Sequence, residues 1–382
     1  MINIKDKSKC CGCGACINVC NKNCINMVMD NQGFFYPQVD VKNCVDCGLC
    51  NKVCPIENAN LDKMIYPSCY ACTNKNEEVL KKSSSGGVFS EISKFIIGQG
   101  GVVYGASLEN AITVKHVRVD NITDLEKLYG SKYIQSDTGN CYNLVTEDLK
   151  NGLTVLFTGT PCQISGLKKF LGKEYDNLYT QDLICHGVPS KLIWEKFLNE
   201  NGFTTNAKVW FRDKTYGWEK FSVKITEGER EFLEPFSENI FFKFFLSDMF
   251  LRPSCYQCKF KTITRDADIT LADFWGRNNA QDNGLSAVCV HSKKGECLFD
   301  NVKDNLYVEQ VDFESVVDGN KCCLFSADKK INKEKLYKGI NKNPLHKTFK
   351  KANKKSLFKK AIKKIIRIRE NKGAIAYYYR HK

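Results

Sequence analysis

Eight cysteines in two copies of one spacing constrain this chain more than any other feature. Cys10, Cys13, Cys16 and Cys20 read C-x2-C-x2-C-x3-C, and Cys44, Cys47, Cys50 and Cys54 repeat that spacing, with Pro55 following. Ten of the 21 cysteines fall between Cys10 and Cys54. The N-terminus, MINIKDKSKC, lacks the apolar core of a signal peptide, so a reducing cytoplasm is the expected compartment. Thiols crowded together there point to metal rather than to disulfides. Residues 1–58 are too short and too polar to bury a sufficient core and need a staple.

The spacing says what the staple is. Three thiolates on a tight loop cap three corners of a cubane, and a distant thiolate closes the fourth. In the bacterial ferredoxin pattern, the fourth cysteine of each group crosses to the other cluster. One 4Fe-4S cluster is therefore expected on Cys10, Cys13, Cys16 and Cys54, and a second on Cys20, Cys44, Cys47 and Cys50. Gly12, Gly14 and Gly48 let the loops wrap without Cβ clashes. Two features depart from the pattern: Asn21 replaces the proline expected after Cys20, and Cys11 and Cys24 are extra thiols. The C-x2-C step into Cys13 favours Cys10 over Cys11 as ligand.

Beyond a linker and first strand (59–75), residues 76–340 read as a body of alternating strand and helix. Strand-like runs occupy 101–108, 153–158, 177–184, 268–275 and 285–290. Helical periodicity carries Val88, Ile92 and Ile96 behind a Ser-Gly run. Thr123 and Glu126 suggest a capping box on a short helix, and Ser190 a cap on the helix carrying Ile193 and Phe197. After residue 300 the pattern weakens. The alternation predicts an α/β or α+β body with a mixed sheet. Neither a Rossmann G-x-G-x-x-G after a strand nor a P-loop is present.

Seven stretches of the body occur together: SSSGGVFSEI (83–92), GGVVYGASL (100–108), GSKYIQS (130–136), LFTGTPCQISGL (156–167), DLICHGVPS (182–190), LRPSCYQCKF (251–260) and DITLADFWG (268–276). In that order, behind a two-cluster ferredoxin segment, they resemble the beta-subunit family of coenzyme F420 hydrogenases and dehydrogenases over roughly residues 1–300. The resemblance implies an iron–sulfur flavoprotein oxidoreductase with a mixed-sheet α/β FAD domain. In methanogens, family members pass electrons between the deazaflavin F420 and iron–sulfur clusters, and other members reduce other substrates. It also implies a third cluster, for which Cys162, Cys185, Cys255 and Cys258 lie within the shared motifs. The remaining body cysteines, among them Cys69, Cys72, Cys141, Cys289, Cys297, Cys322 and Cys323, read as incidental or as packing residues.

Several residues are candidates to bind FAD. Ser84, Ser85, Gly86 and Gly87 precede a helix, where backbone N–H groups and hydroxyls can cradle a phosphate or serve simply as a helix cap. Lys132, in the stretch that also carries Gln135, suits a pyrophosphate or a solvated surface. Thr158, Gly159 and Thr160 end a strand, where open α/β sheets place ligands, although Pro161 equally marks an ordinary helix start. His186 is a candidate proton relay or a structural histidine. Electrons would pass between a ferredoxin or other redox protein, the clusters, FAD and a small-molecule substrate. The alternative is a polyferredoxin-like adaptor with no substrate of its own.

Charge is confined to one end. Residues 347–382 carry fourteen Lys or Arg against a single acid, Glu370, in a chain of net charge +14. The body is therefore nearly neutral, and nucleic acid is not an expected partner. Within the segment 345–382, Phe358, Ile362, Ile365 and Ile366 fall on one helical face among lysines. That face suits an anionic membrane surface or an acidic redox partner, and a solvated tail has the same composition. Elsewhere no apolar run approaches the ~18 residues of a membrane span.

Overall fold

The structure, a computed structural model, describes residues 1–58, 65–275, 283–328 and 333–352. Met1–Lys329 form one compact unit and Lys330–Lys382 a second, which contains a helix over Lys333–Lys342. The amphipathic stretch expected around Phe358 and Ile366 lies outside the described residues, as does Gly276. No helix of the described residues is long and apolar enough to cross a membrane.

The N-terminal segment is built almost wholly from its two cysteine loops. Gly14 takes φ +84° and caps a one-turn helix, α1 (Ala15–Asn18). Gly48 takes φ +75° and caps an equivalent turn, α2 (Leu49–Lys52). A side chain at either position would strain the left-handed backbone that begins the turn. Between the loops, β1 (Ile25–Met29) and β2 (Phe35–Val39) form an antiparallel hairpin.

The body is an eight-stranded mixed sheet. Its strands are β3 (Ser68–Asn74), β4 (Val102–Asn110), β5 (Thr113–Val119), β6 (Val155–Thr158), β7 (Leu178–Leu183), β11 (Ile269–Asp273), β12 (Ser286–Val290) and β13 (Leu306–Val311). Their spatial order is β13-β3-β12-β11-β7-β6-β4-β5. The four central strands β4, β6, β7 and β11 are mutually parallel, and the flanking strands are antiparallel to their neighbours. A separate three-stranded sheet comprises β8 (Lys208–Asp213), β9 (Ser222–Glu227) and β10 (Arg230–Pro235). The strand-like runs of the sequence all became strands. β5 and β13 had no comparable signal, since both are edge strands whose outer faces admit polar residues. The chain after residue 300 therefore still belongs to the main sheet. β3, ahead of residue 76, is also an internal member of that sheet.

Two caps differ from expectation. Thr123 makes no side-chain cap, and the Asp124 amide is received instead by Asn121 Oδ1 at 2.9 Å. Ser190 starts its helix, Lys191–Glu200, without a side-chain cap, because its hydroxyl donates to the Gln32 carbonyl at 2.6 Å. That bond is one of several through which the N-terminal segment is attached to the body.

Attachment is extensive. Cys11, Cys13, Ala15, Val53, Cys54 and Ile56 share one apolar core with Tyr142, Val145, Phe157, Ile164 and Leu167. The Tyr142 hydroxyl lies 2.8 Å from the Cys13 carbonyl, Asn18 Nδ2 donates to the Gly139 carbonyl at 2.8 Å, and Lys259 Nζ donates to the Ile56 carbonyl at 2.7 Å. One close approach is at Gly166 on the helix Pro161–Leu171. A Cβ there would stand 2.9 Å from Cys13 Sγ and 3.0 Å from Cys13 Cβ. Replacing Gly166 with Val is expected to cost about 1–3 kcal/mol through overpacking. A lower urea midpoint checks this, and an unchanged midpoint would refute the close packing.

Candidate functional site

The first cysteine group lies on the buried face of the N-terminal segment. Cys10, Cys13, Cys16 and Cys54 are all buried. Burial above all, then the neighbouring thiols of Cys10, Cys54 and Cys50, pushes the Cys16 thiol up to about 12. Cys54 is raised by burial too, with Cys10 a further contributor. In the second group Cys50 is buried, Cys44 partly so and Cys47 exposed. The Ile2 amide donates to Cys50 Sγ at 3.1 Å. Cys20 Sγ lies 3.4 Å from Cys24 Sγ, and Cys24 in turn interacts with Cys44, so this extra thiol stands among the second group.

A third gathering comes from three distant stretches of the body. Cys162 is in the first turn of the helix after β6, and Cys185 lies two residues beyond β7. Because β6 and β7 are parallel, both cysteines emerge at the same edge of the sheet. Cys255 and Cys258 come from the turn at Pro253–Gln257 and its end. That turn is held against the Cys185 loop by a bridge between Pro189 and Leu251, and by the Arg252 amide donating to the Val188 carbonyl at 2.8 Å. The four thiols all interact with one another electrostatically, and Cys162 also contacts Cys11 of the N-terminal loop. Cys11 is thus the thiol between the first and third groups.

Among the described residues, no three His, Cys, Asp or Glu side chains converge as they would around a single ion. Thiolates at the corners of a cubane stand wider apart than ligands of one ion. Buried, crowded thiols with raised pKa values fit such a group, because cationic iron offsets the cost of their ionisation. Cys69, Cys72, Cys141, Cys289 and Cys323 are buried as packing residues, but Cys297 is exposed and Cys322 borders a cavity beside His186.

That cavity, about 1180 Å³, opens at the C-terminal ends of the parallel strands. Ser84, Ser85, Gly87, Lys132, Gln135, Thr158, Gly159, Thr160, Cys185 and His186 all line it. Gly86 does not. Its amide donates to Ser286 Oγ at 2.9 Å, and a Cβ would come within 2.2 Å of the Cys72 carbonyl oxygen, so it is a packing glycine. Gly87 caps the helix Val88–Gly98 with φ +76°, and the N-terminus of that helix borders the cavity.

The serine hydroxyls are engaged in the fold. Ser84 Oγ accepts the Ser131 amide at 2.7 Å, and Ser85 Oγ donates to the Leu285 carbonyl at 2.9 Å. Lys132 is neither solvated nor free. Its Nζ donates to the Leu128 and Tyr129 carbonyls, each at 2.8 Å, and burial lowers its pKa to about 7. Gln135 Nε2 donates to the Cys11 carbonyl at 3.0 Å, which ties the cavity wall to the first cysteine loop. Thr160 and Gln163 form a capping box, with Pro161 in the first turn. His186 Nε2 lies 2.9 Å from Asp248 Oδ1. Burial works to lower its pKa, but Asp248 and Cys322 raise it to about 9.

Sequence reasoning missed two residues at this site. Arg252 had no signal beyond its place before the Cys255 turn. His116, on β5, stacks on Phe157 with ring centroids 5.2 Å apart and borders the cavity. Its Nε2 lies 2.9 Å from the Thr158 carbonyl and therefore carries the proton, while Nδ1 receives the Ser136 hydroxyl at 2.6 Å. Burial lowers its pKa to about 4.

The site thus combines crowded thiol sets with a cavity at the strand ends. Residues 152–316 match the family that describes the C terminus of the coenzyme F420 hydrogenase/dehydrogenase beta subunit, and residues 9–58 match the 4Fe-4S dicluster domain. Residues 152–316 thus carry the C-terminal region of that beta-subunit family, behind a 4Fe-4S dicluster domain. The chain is 24% identical over 336 residues to the coenzyme F420-dependent sulfite reductase of Methanocaldococcus jannaschii, an alignment covering 81% of this chain and 48% of the reductase. The chain thus spans about half the length of that relative. An uncharacterised ferredoxin from the same organism is 41% identical over 64 residues, covering 17% of this chain and 80% of the ferredoxin. Among solved structures, the F420-reducing [NiFe] hydrogenase complex from Methanosarcina barkeri has a chain aligning at 20% identity with a TM-score of 0.47, over 68% of this chain and 87% of that one.

The histidine pKa carries a pH prediction. An unfolded His116 titrates near 6.5 and the folded one near 4. As pH falls through this window the unfolded state binds the extra proton, so stability is lost. The loss attributable to His116 at pH 5 is about 2 kcal/mol. Urea unfolding at pH 7 and pH 5 is expected to show that increment in the wild type and not in His116→Gln. Equal pH sensitivity in both would refute the assignment.

Proposed function

We propose that this protein moves electrons between three 4Fe-4S clusters, an FAD and a small-molecule substrate. The observation that supports this most directly is the gathering of Cys162, Cys255 and Cys258 around Cys185, which lines the cavity, with Cys162 against Cys11. In this reading Cys10, Cys13, Cys16 and Cys54 hold the first cluster and Cys20, Cys44, Cys47 and Cys50 the second. The four body cysteines hold the third. Residues 1–58 act as a ferredoxin-type domain, and 76–340 supply most of the FAD domain.

FAD supplies an exchange between two-electron chemistry with a substrate and one-electron chemistry with clusters. The residues of the chain hold it and shield it. The N-terminus of the helix Val88–Gly98, with Gly87 at its cap, presents backbone N–H groups suited to a phosphate. Thr158, Gly159 and Thr160 form the opposing wall. His186 keeps a proton at the cavity beside Asp248 and is the candidate proton carrier there. Cys47, exposed at the far end of the second group, is where an external ferredoxin or other redox protein would exchange electrons. The reductase relative is F420-dependent by name, so a deazaflavin is one substrate class to test.

Anaerobically reconstituted full-length protein is expected to hold roughly twelve irons per chain and to release FAD on denaturation. Cys255→Ser with Cys258→Ser should remove roughly four irons and leave the other clusters in place. Full iron content in that double variant would overturn the third cluster. Clusters without flavin after reconstitution would instead assign the protein an electron-carrier role.

A further inference from the structure

Arg252 is completely buried, yet it has no carboxylate partner among the described residues. Arg212 and Arg265, whose side chains are also buried, are paired with Asp273 and Asp182 respectively. Arg252 instead spends its guanidinium on a different set of groups. Nε donates to the Cys10 carbonyl at 2.8 Å, and Nη1 donates to Gln135 Oε1 at 3.0 Å. Nη2 donates to the Phe35 carbonyl at 2.8 Å and lies 3.5 Å from Cys10 Sγ. The Tyr36 ring centroid is 4.4 Å away. Carbonyls, an amide and a ring satisfy the donors but do not neutralise the charge.

An uncompensated cation this deep is costly, so an anion is needed nearby. Burial keeps the Tyr36 phenol protonated, and the other ionisable groups acting on Arg252 are thiols: Cys10 and Cys11 from the N-terminal loop and Cys255 from the body. Cys255 donates its own amide to the Arg252 carbonyl at 2.9 Å, so Arg252 and the Cys255–Cys258 turn form one local unit. The guanidinium thus stands between two sets of candidate cluster ligands.

We propose that Arg252 is the shared counter-ion of the Cys10 cluster and the Cys255 cluster, and that its charge holds the reduction potential of the Cys10 cluster above the value it would otherwise take. The inference rests on the cluster assignment made under Proposed function. Reduction adds negative charge to a cluster, and a fixed cation beside a ligand sulfur in a low-dielectric interior favours that added charge. The second cluster, with Cys47 exposed, has no such buried cation described beside it. An electron entering there would be drawn inward toward the body. Arg252 is a positioning residue as well, since its planar fork joins the Cys10 loop, β2 and the Gln135 segment in a way an ammonium cannot.

The test is a potentiometric titration of the reconstituted full-length chain followed by EPR. The signal altered in Cys10→Ser identifies the Cys10 cluster. In Arg252→Gln the midpoint of that signal is expected to fall. In Arg252→Lys, which keeps the charge without the fork, it should lie between Arg252→Gln and wild type. Gln135→Glu leaves Arg252 in place and adds an opposing charge, so it should also lower the midpoint. This second variant decides the matter if Arg252→Gln does not load its clusters. An unchanged midpoint in either loaded variant would overturn the counter-ion role. If Cys10→Ser retains every signal and all its iron, the cluster assignment itself fails and the proposal falls with it.

Discussion

The contact between the Cys13 loop and Gly166 is the constraint on which the rest of the structure depends. A segment of 58 residues that is rich in Cys, Asn and Asp cannot exclude enough water by itself. It does so by sharing a core with the helix Pro161–Leu171 and with Tyr142 and Val145. The approach is close because Gly166 has no side chain where Cys13 meets the helix. From this contact it follows that Cys11 reaches Cys162, and that the first cysteine loop lies against the body rather than at the end of a tether.

The parallel strands at the centre of the sheet do the complementary work. β6 and β7 end on the same edge, so the residues following them, Gly159 and Thr160 and Ile184 to His186, share one space. The turn at Pro253–Gln257 would belong elsewhere but for its backbone bridge to Pro189. One side of this space is thiol-rich and the other is a cavity bounded by a helix N-terminus. A parallel sheet buried on both faces is a rigid frame, which suits a site whose function depends on fixed separations between redox groups.

Many residues singled out from sequence proved to border the cavity, yet their side chains are occupied in ways the sequence did not reveal. Ser84, Ser85 and Lys132 spend their polar atoms on neighbouring backbone, and Gln135 reaches the Cys11 carbonyl. Gly86 is a packing position, and the expected Thr123 cap is made by Asn121 instead. Motif reading locates a loop near a ligand space. It does not say which atoms of that loop remain free, because that depends on how the chain packs around it, as when Ser85 finds the Leu285 carbonyl 200 residues away.

The sequence by itself determined the two cysteine repeats, their glycine-dependent turns and most strands of the sheet. These are local properties: thiol spacing, positive φ at Gly14 and Gly48, and runs of apolar residues all act within a few positions of the chain. Only the tertiary structure decided which thiols meet. Cys162, Cys185, Cys255 and Cys258 are brought together by strand order and by one backbone bridge, Cys11 by the docking of its loop, and Arg252 by burial against Cys10. His116 became a site residue only when β5 paired at the sheet edge beside Phe157. These relations depend on long-range packing, which no spacing in the sequence encodes.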